Sequence, residues 1–214
     1  MSDVTPPSPE PEKGPAGPLG PEQMRRAFLT MTLAFYGVGF AISLAGALLA
    51  DHPLEYLPGS WENRSTWATA GTLLVVGAGA GLLVVVAGHF ASGVFPSLDA
   101  LEREFASYLD WMRGWFDAFL IAGASALGEE AFFRGLLQPW LGLFWTSALF
   151  AACHPPLNAR LILWPVFALA MGLLLGWLFD RSGGNLLAPT MVHFVVNFVN
   201  LKLIARRAGS KVES

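Results

Sequence analysis

Cysteine is almost missing from this sequence. Cys153 stands alone, so no intrachain disulfide can form and no CxxC framework exists for a zinc ribbon or a dithiol redox centre. Charge is scarce as well: Asp, Glu, Lys and Arg make up 14% of the 214 residues, against about a quarter in an ordinary soluble domain. The net charge of −3 is small, and the basic residues lie in short clusters beside apolar runs rather than along one broad face, which excludes a nucleic-acid partner. What fills the space is apolar, since 54% of the residues are hydrophobic. That is the composition of a membrane protein.

The apolar residues are not spread evenly. Residues 1–23, MSDVTPPSPEPEKGPAGPLGPEQ, hold seven prolines and no aromatic residue, the composition of a disordered tail. The first apolar run starts after Arg25-Arg26 and is long enough to span a bilayer, so it reads as a retained helix rather than a signal peptide. Counting windows of roughly 20 apolar residues gives spans at 27–50, 68–90, 161–179 and 184–204, with 118–137 and a shorter run at 141–154 as two more. The expected fold is therefore an all-α polytopic membrane protein of about six transmembrane helices. The helical domain covers 24–205, and a short basic tail follows at 206–214. Arg25 and Arg26 before the first span, and Lys202, Arg206, Arg207 and Lys211 around the end of the last, place both termini on the cytoplasmic side. Between the second and third spans, Leu98, Leu101, Phe105, Tyr108, Leu109 and Met112 recur at helical spacing opposite Asp99, Glu102, Arg103 and Asp110. This pattern suits an amphipathic helix lying in the membrane interface or packed on the protein itself. Trp61, Trp67, Trp111, Trp115, Trp140 and Trp164 fall near the proposed helix ends, where indoles favour the headgroup zone.

Three polar clusters interrupt the apolar helices. The first is GEEAFFRG, residues 128–135. An ionised side chain at mid-membrane costs about 2.5–3.5 kcal/mol on insertion scales, so Glu129, Glu130 and Arg134 need pairing or a wet cavity. Glu130 and Arg134 are i, i+4 with the acid first, the favourable order for an intrahelical ion pair; Glu129 points about 100° away and has no cation nearby in sequence. It is either part of a charge network that pins helix register or an acid available for proton transfer. The second cluster is FAACH, with Phe150 and His154 one turn apart before Pro155-Pro156 stops the helix. The third is HFVVN, which puts His193 and Asn197 on one helical face, with Asn200 extending the stripe. Interhelical hydrogen bonding accounts for any one of these. Together they form the inventory of an acid–base or metal site. Other chemistries lack their residues: there is no HExxH, no GxSx segment paired with a later histidine, and no aspartate at Gly183-Gly184-Asn185 of the kind aspartyl intramembrane proteases use. Cys153 points about 100° from His154 and reads as packing, and Ser125 has no adjacent base.

Glu129-Glu130-Ala-Phe-Phe-Arg134, Phe150-Ala-Ala-Cys-His154 and His193-Phe-Val-Val-Asn197, in this order on successive helices within 117–201, resemble the EExxxR, FxxxH and HxxxN motifs of the CPBP family. These are the CAAX-protease and bacteriocin-processing intramembrane proteases, related to the type II CAAX prenyl endopeptidase; one branch is myxosortase-like. The Arg-Gly step and the Gly-Asn-Leu-Leu-Ala-Pro run agree with the family as well. The resemblance implies that Glu129 activates a water, that His154 helps hold it, and that His193 and Asn197 stabilise the oxyanion. Glu130, Arg134 and Phe150 would support the site. In a metal-dependent version His154, His193 and Glu129 would hold a divalent ion such as zinc, and in the other version there is no cofactor.

The expectation is a multi-pass enzyme of the cell membrane that hydrolyses a peptide bond near the terminus of a membrane-associated protein, in processing or sorting. The rival is a non-catalytic membrane protein, transporter-like or a bacteriocin-immunity factor, with a structural polar cluster. The turn expected near Leu137 leaves Glu129 and His154 about 8 Å apart in depth, so a dipping turn or a tilted helix is needed for them to meet.

Overall fold

The computed structural model describes residues 20–51, 54–56, 64–108, 112, 114–156, 158 and 161–209. Helices carry nearly all of them: α1 (Pro21–Leu49), α2 (Arg64–Val94), α3 (Pro96–Tyr108), α4 (Trp115–Glu130), a π-helical segment (Ala131–Leu137), α5 (Gln138–Ala152), α6 (Leu163–Arg181) and α7 (Leu187–Gly209). Four helical stretches among the described residues, Pro21–Leu49, Thr69–Val94, Leu163–Arg181 and Leu187–Arg206, are long and apolar enough to cross a membrane. The other two expected crossings correspond to α4 with its π extension, 16 residues and seven, and to the 15-residue α5. Large apolar side chains such as Met31, Phe35, Leu83, Phe144 and Trp145 point outward, as they do when the surrounding medium is lipid. The protein is an all-α polytopic membrane protein.

The first and last helices run past the bounds expected for the helical domain. Helix α1 takes in Pro21–Gln23, which the composition assigns to the tail: proline is preset for the first helical position, and the Gly20 N–H donates to Gln23 Oε1 at 3.0 Å. Helix α7 runs on to Gly209, beyond the boundary expected at 205. Residues 1–19 and 210–214, and the side chains of Trp61, Trp67 and Trp111, lie outside the described residues.

The turn is not at Leu137. Helical backbone continues through Gln138 and breaks at Gly142, whose φ of 72° and ψ of 171° belong to a region only glycine enters readily. A straight helix would hold Phe133 and Phe150 about 25 Å apart; their rings are 5.1 Å apart, so the chain folds back on itself between them. With the reversal at Gly142, Glu129 and His154 stand 13 and 12 residues from it, and the depth mismatch disappears. The hairpin is tied to α6, where Gln138 Nε2 donates to the Gly176 carbonyl at 2.9 Å and to Asp180 Oδ1 at 2.8 Å.

Helices approach closely where side chains are small. A Cβ on Gly128 would fall 2.9 Å from the Tyr36 carbonyl oxygen, so α4 lies directly on the α1 backbone there. Asp117, 1% exposed, receives two bonds from Arg25, at 2.6 and 2.8 Å, which locks the starts of α1 and α4 together. Helix α3 packs on the protein: Phe105 meets the Trp164 ring at 4.9 Å and Glu104 accepts from Asn158 at 2.7 Å. Tyr108, Leu109 and Asp110 of its expected pattern have no described side chains. The Gly183-Gly184-Asn185 stretch is punctuation: the glycines turn at φ 71° and 88° after α6, and Asn185 Oδ1 accepts the Leu187 N–H at 2.8 Å to start α7.

A Cβ at Gly142 meets no neighbouring atom, so any loss on substitution comes from the backbone alone. Gly142→Val is expected to cost about 1–3 kcal/mol and to lower the thermal unfolding temperature in detergent micelles. Gly88→Ala, in open space on α2, should leave that temperature unchanged or slightly raised.

Candidate functional site

The first layer of the site is a buried charge network. Glu130 and Arg134 are both fully buried, and Arg134 Nη1 donates to Glu130 Oε1 at 2.9 Å, the i, i+4 pair expected from spacing. Arg134 Nη2 donates to the Gly172 carbonyl on α6 at 3.2 Å, and its guanidinium lies 4.6 Å over the Phe150 ring. Glu130 Oε1 also accepts from His193 Nδ1 at 2.7 Å, so one carboxylate oxygen joins the hairpin to α7. The phenylalanine of FxxxH is thus part of the arginine's cage.

The second layer is built around Glu129. Glu129 Oε2 lies 3.8 Å from His154 Nε2 and 3.8 Å from His193 Nε2, and it is buried with no hydrogen-bond partner. These separations are too long for direct hydrogen bonds and right for a bridging water. Proton positions follow from the other ring nitrogens. The Phe150 carbonyl, 2.7 Å from His154 Nδ1, can only accept, so Nδ1 carries the hydrogen and Nε2 offers a lone pair toward Glu129. His193 Nδ1–H is committed to Glu130 in the same way.

Asn197 stands apart. Its Nδ2 donates to Ser125 Oγ at 3.0 Å, one turn along both helices from Glu129 and His193, so three of the four expected site residues meet at the carboxylate and the fourth flanks them. Three further residues escaped the sequence reading. Tyr36 on α1 lies against Gly128, the residue before Glu129. Trp164 packs edge-on against the His154 ring, with 5.5 Å between centroids, and is a wall of the site and not only an interfacial indole. Ser125 holds Asn197. Tyrosine and serine in apolar helices carry no spacing signal, and only the fold places them. Cys153 is exposed, not packed.

The donor chemistry fits a divalent metal. Two imidazoles whose other nitrogens donate to a carbonyl and a carboxylate, beside a carboxylate oxygen without a partner, are the ligand set and outer shell of a catalytic zinc site. The spacing is wider than a closed site, because three ligands of one zinc lie about 3.3 Å apart. Among the described residues no group of three His, Cys, Asp or Glu side chains is already gathered as a metal cluster. His154, His193 and Glu129 would each have to draw inward to hold one.

Removing one member of the buried pair exposes the network's energetics. Arg134→Gln is expected to destabilise the protein by about 3–5 kcal/mol, because Glu130 loses its buried guanidinium partner and keeps only the His193 Nδ1–H. Adding Glu130→Gln should restore part of that loss in thermal unfolding, and a double variant no more stable than the single one would show that the pair is not coupled.

A family model described as type II CAAX prenyl endopeptidase Rce1-like matches residues 111–199. Among curated proteins, the uncharacterized protein YpbD of Bacillus subtilis (strain 168) is 36% identical over 74 residues, which cover 35% of this chain and 38% of that protein. The chain thus spans well under half of that relative's length. No solved structure gives a significant match. Residues 111–199, which carry Glu129, His154, His193 and Asn197, are thus similar to the Rce1-like type II CAAX prenyl endopeptidases.

Proposed function

We propose that this protein is an intramembrane endopeptidase in which Glu129 activates a water for attack on a peptide carbonyl. The observation that carries the reading is the unpartnered Glu129 Oε2 facing two imidazole nitrogens at 3.8 Å, a gap of one water. That water donates one hydrogen to Glu129 and the other to His154 Nε2, so its free lone pair is aimed outward. As the oxygen–carbon bond forms, Glu129 takes the proton, and it then delivers it to the leaving amine as the carbon–nitrogen bond breaks. A proton on His193 Nε2 makes that ring an imidazolium between two carboxylates and neutralises a cluster of two acids and one guanidinium. It then supplies a donor to the oxyanion, and the second N–H of Asn197 supplies another. A bound divalent ion would add Lewis-acid polarisation at the same oxygen. The substrate is a membrane-associated protein or peptide cut near one end, in processing or sorting, and both termini of the chain lie on the cytoplasmic side.

Glu129→Gln keeps the shape and removes the base. Its cleavage rate is expected to fall by at least about 10²–10⁴-fold with unfolding temperature within a degree or two of the parent, read in liposomes by mass spectrometry of peptide products. A folded Glu129→Gln that cleaves at the parent rate would favour the rival, a membrane protein whose polar cluster is structural.

A further inference from the structure

The two imidazoles beside Glu129 are held in different ways. His193 sits within α7, its side chain 6% exposed, with Nδ1 bound to the buried Glu130 carboxylate at 2.7 Å. His154 stands two residues past the end of α5, its side chain 20% exposed. Its Nδ1 reaches the Phe150 carbonyl at 2.7 Å, but one hydrogen bond fixes one ring atom and not the direction of the opposite nitrogen. Two aromatic rings supply the remaining restraint: Phe150, with 4.5 Å between centroids, and Trp164, edge-on at 5.5 Å. Edge-on packing has a preferred geometry, so it limits the angle of the imidazole as well as its place.

Trp164 lies in the first turn of α6 and is only half-buried. Phe105 of α3 packs edge-on against it, with 4.9 Å between centroids. The preceding residue, Glu104, accepts from Asn158 in the connection between α5 and α6 at 2.7 Å. Adjacent residues of α3 thus grip the chain that follows His154 at two points, one polar and one aromatic. Helix α3 is anchored for this by packing on α2 and α7 as well as on α6. Glu104 and Phe105 both lie outside residues 111–199, so the grip comes from a part of the chain that the family model does not match.

We propose that Trp164 is a positioning residue that keeps the His154 imidazole turned toward Glu129, and that it does so only while Glu104 and Phe105 of α3 hold the α5–α6 connection, so that docking of this amphipathic helix completes the site. The proposal rests on the reading of Glu129 as the base and of His154 as the group that holds its water. His193 needs no such help, because a buried charge network orients it. His154 has no charged partner on its other nitrogen, and its direction is set by aromatic packing relayed from α3. A small rotation of its ring moves Nε2 away from the water between it and Glu129, and misplacement on that scale is costly to a reaction that depends on orientation.

The full chain and its variants are reconstituted in phosphatidylcholine liposomes and read in two ways by mass spectrometry: cleavage of the best substrate from a randomised synthetic peptide library, and acylation of each histidine by diethyl pyrocarbonate. Trp164→Ala and Phe105→Ala are each expected to lower kcat by about 10–100-fold with KM little changed. The double variant should be no slower than Trp164→Ala, because Phe105 acts through the indole. Trp164→Phe keeps an aromatic edge and should retain most of the activity. In both alanine variants His154 should be acylated several-fold faster, while His89, exposed on α2, reacts as in the parent. Glu104→Ala releases the same grip more gently and should shift both readouts in the same direction by less, which keeps the test open if Phe105→Ala does not fold. Folded variants in which His154 is acylated at the parent rate overturn the proposal, as does faster acylation with kcat unchanged. If the parent cleaves no peptide, or Glu129→Gln cleaves at the parent rate, the proposed function falls and takes the catalytic meaning of Trp164 with it; the acylation of His154 separates that failure from a failure of the grip.

Discussion

One carboxylate oxygen organises this protein. Glu130 Oε1 accepts from Arg134 at 2.9 Å and from His193 at 2.7 Å, in surroundings that exclude water. In such a setting neither the acid nor the base tolerates loss of its partner, so the two are fixed more firmly than packing alone would fix them. The rest of the site follows. Arg134 reaches the Gly172 carbonyl and sets α6 beside the hairpin, its guanidinium lies on Phe150 and sets α5, and the imidazole on α7 is turned until its other nitrogen faces Glu129.

The two adjacent glutamates thus divide their work by environment. Glu130 has one oxygen held by both Arg134 and His193, and its other oxygen, like Glu129 Oε2, is buried without a partner. Identical side chains one residue apart are separated by the 100° step of the helix, one toward Arg134 and His193 and one toward the space between the two imidazole Nε2 atoms. The π-helical stretch that begins at Ala131 sits where this division occurs, in keeping with the frequent placement of such widened turns at functional sites.

Much of this was legible in the sequence because the helical period is rigid. The Glu130–Arg134 pair and the shared face of His193 and Asn197 are consequences of spacing, and the structure shows both, while the helix expected to run to His154 ends two residues earlier, at Ala152. What spacing does not encode is where a chain reverses. Leu137 looked like the turn because Gln138 and Pro139 follow it, yet a proline in the first turn of a helix breaks nothing, and Gly142 alone adopts the reversing backbone. Contacts between distant helices were equally hidden. Tyr36, Ser125 and Trp164 are ordinary residues of apolar helices until the packing of α1, α4 and α6 sets them beside Gly128, Asn197 and His154. His193 and Asn197 lie one turn apart on their shared face, as i, i+4 residues must, and Ser125 takes one N–H of the Asn197 amide.

The position of His193 on α7 has a consequence for biosynthesis. As the chain leaves the ribosome, the hairpin bearing Glu129 and His154 enters the bilayer first, with Arg134 already able to neutralise Glu130 from four residues away. The ring that completes the network comes only with the seventh helix. Until that helix docks, the nascent hairpin holds its Glu130–Arg134 pair but lacks the imidazole that completes the network and faces Glu129.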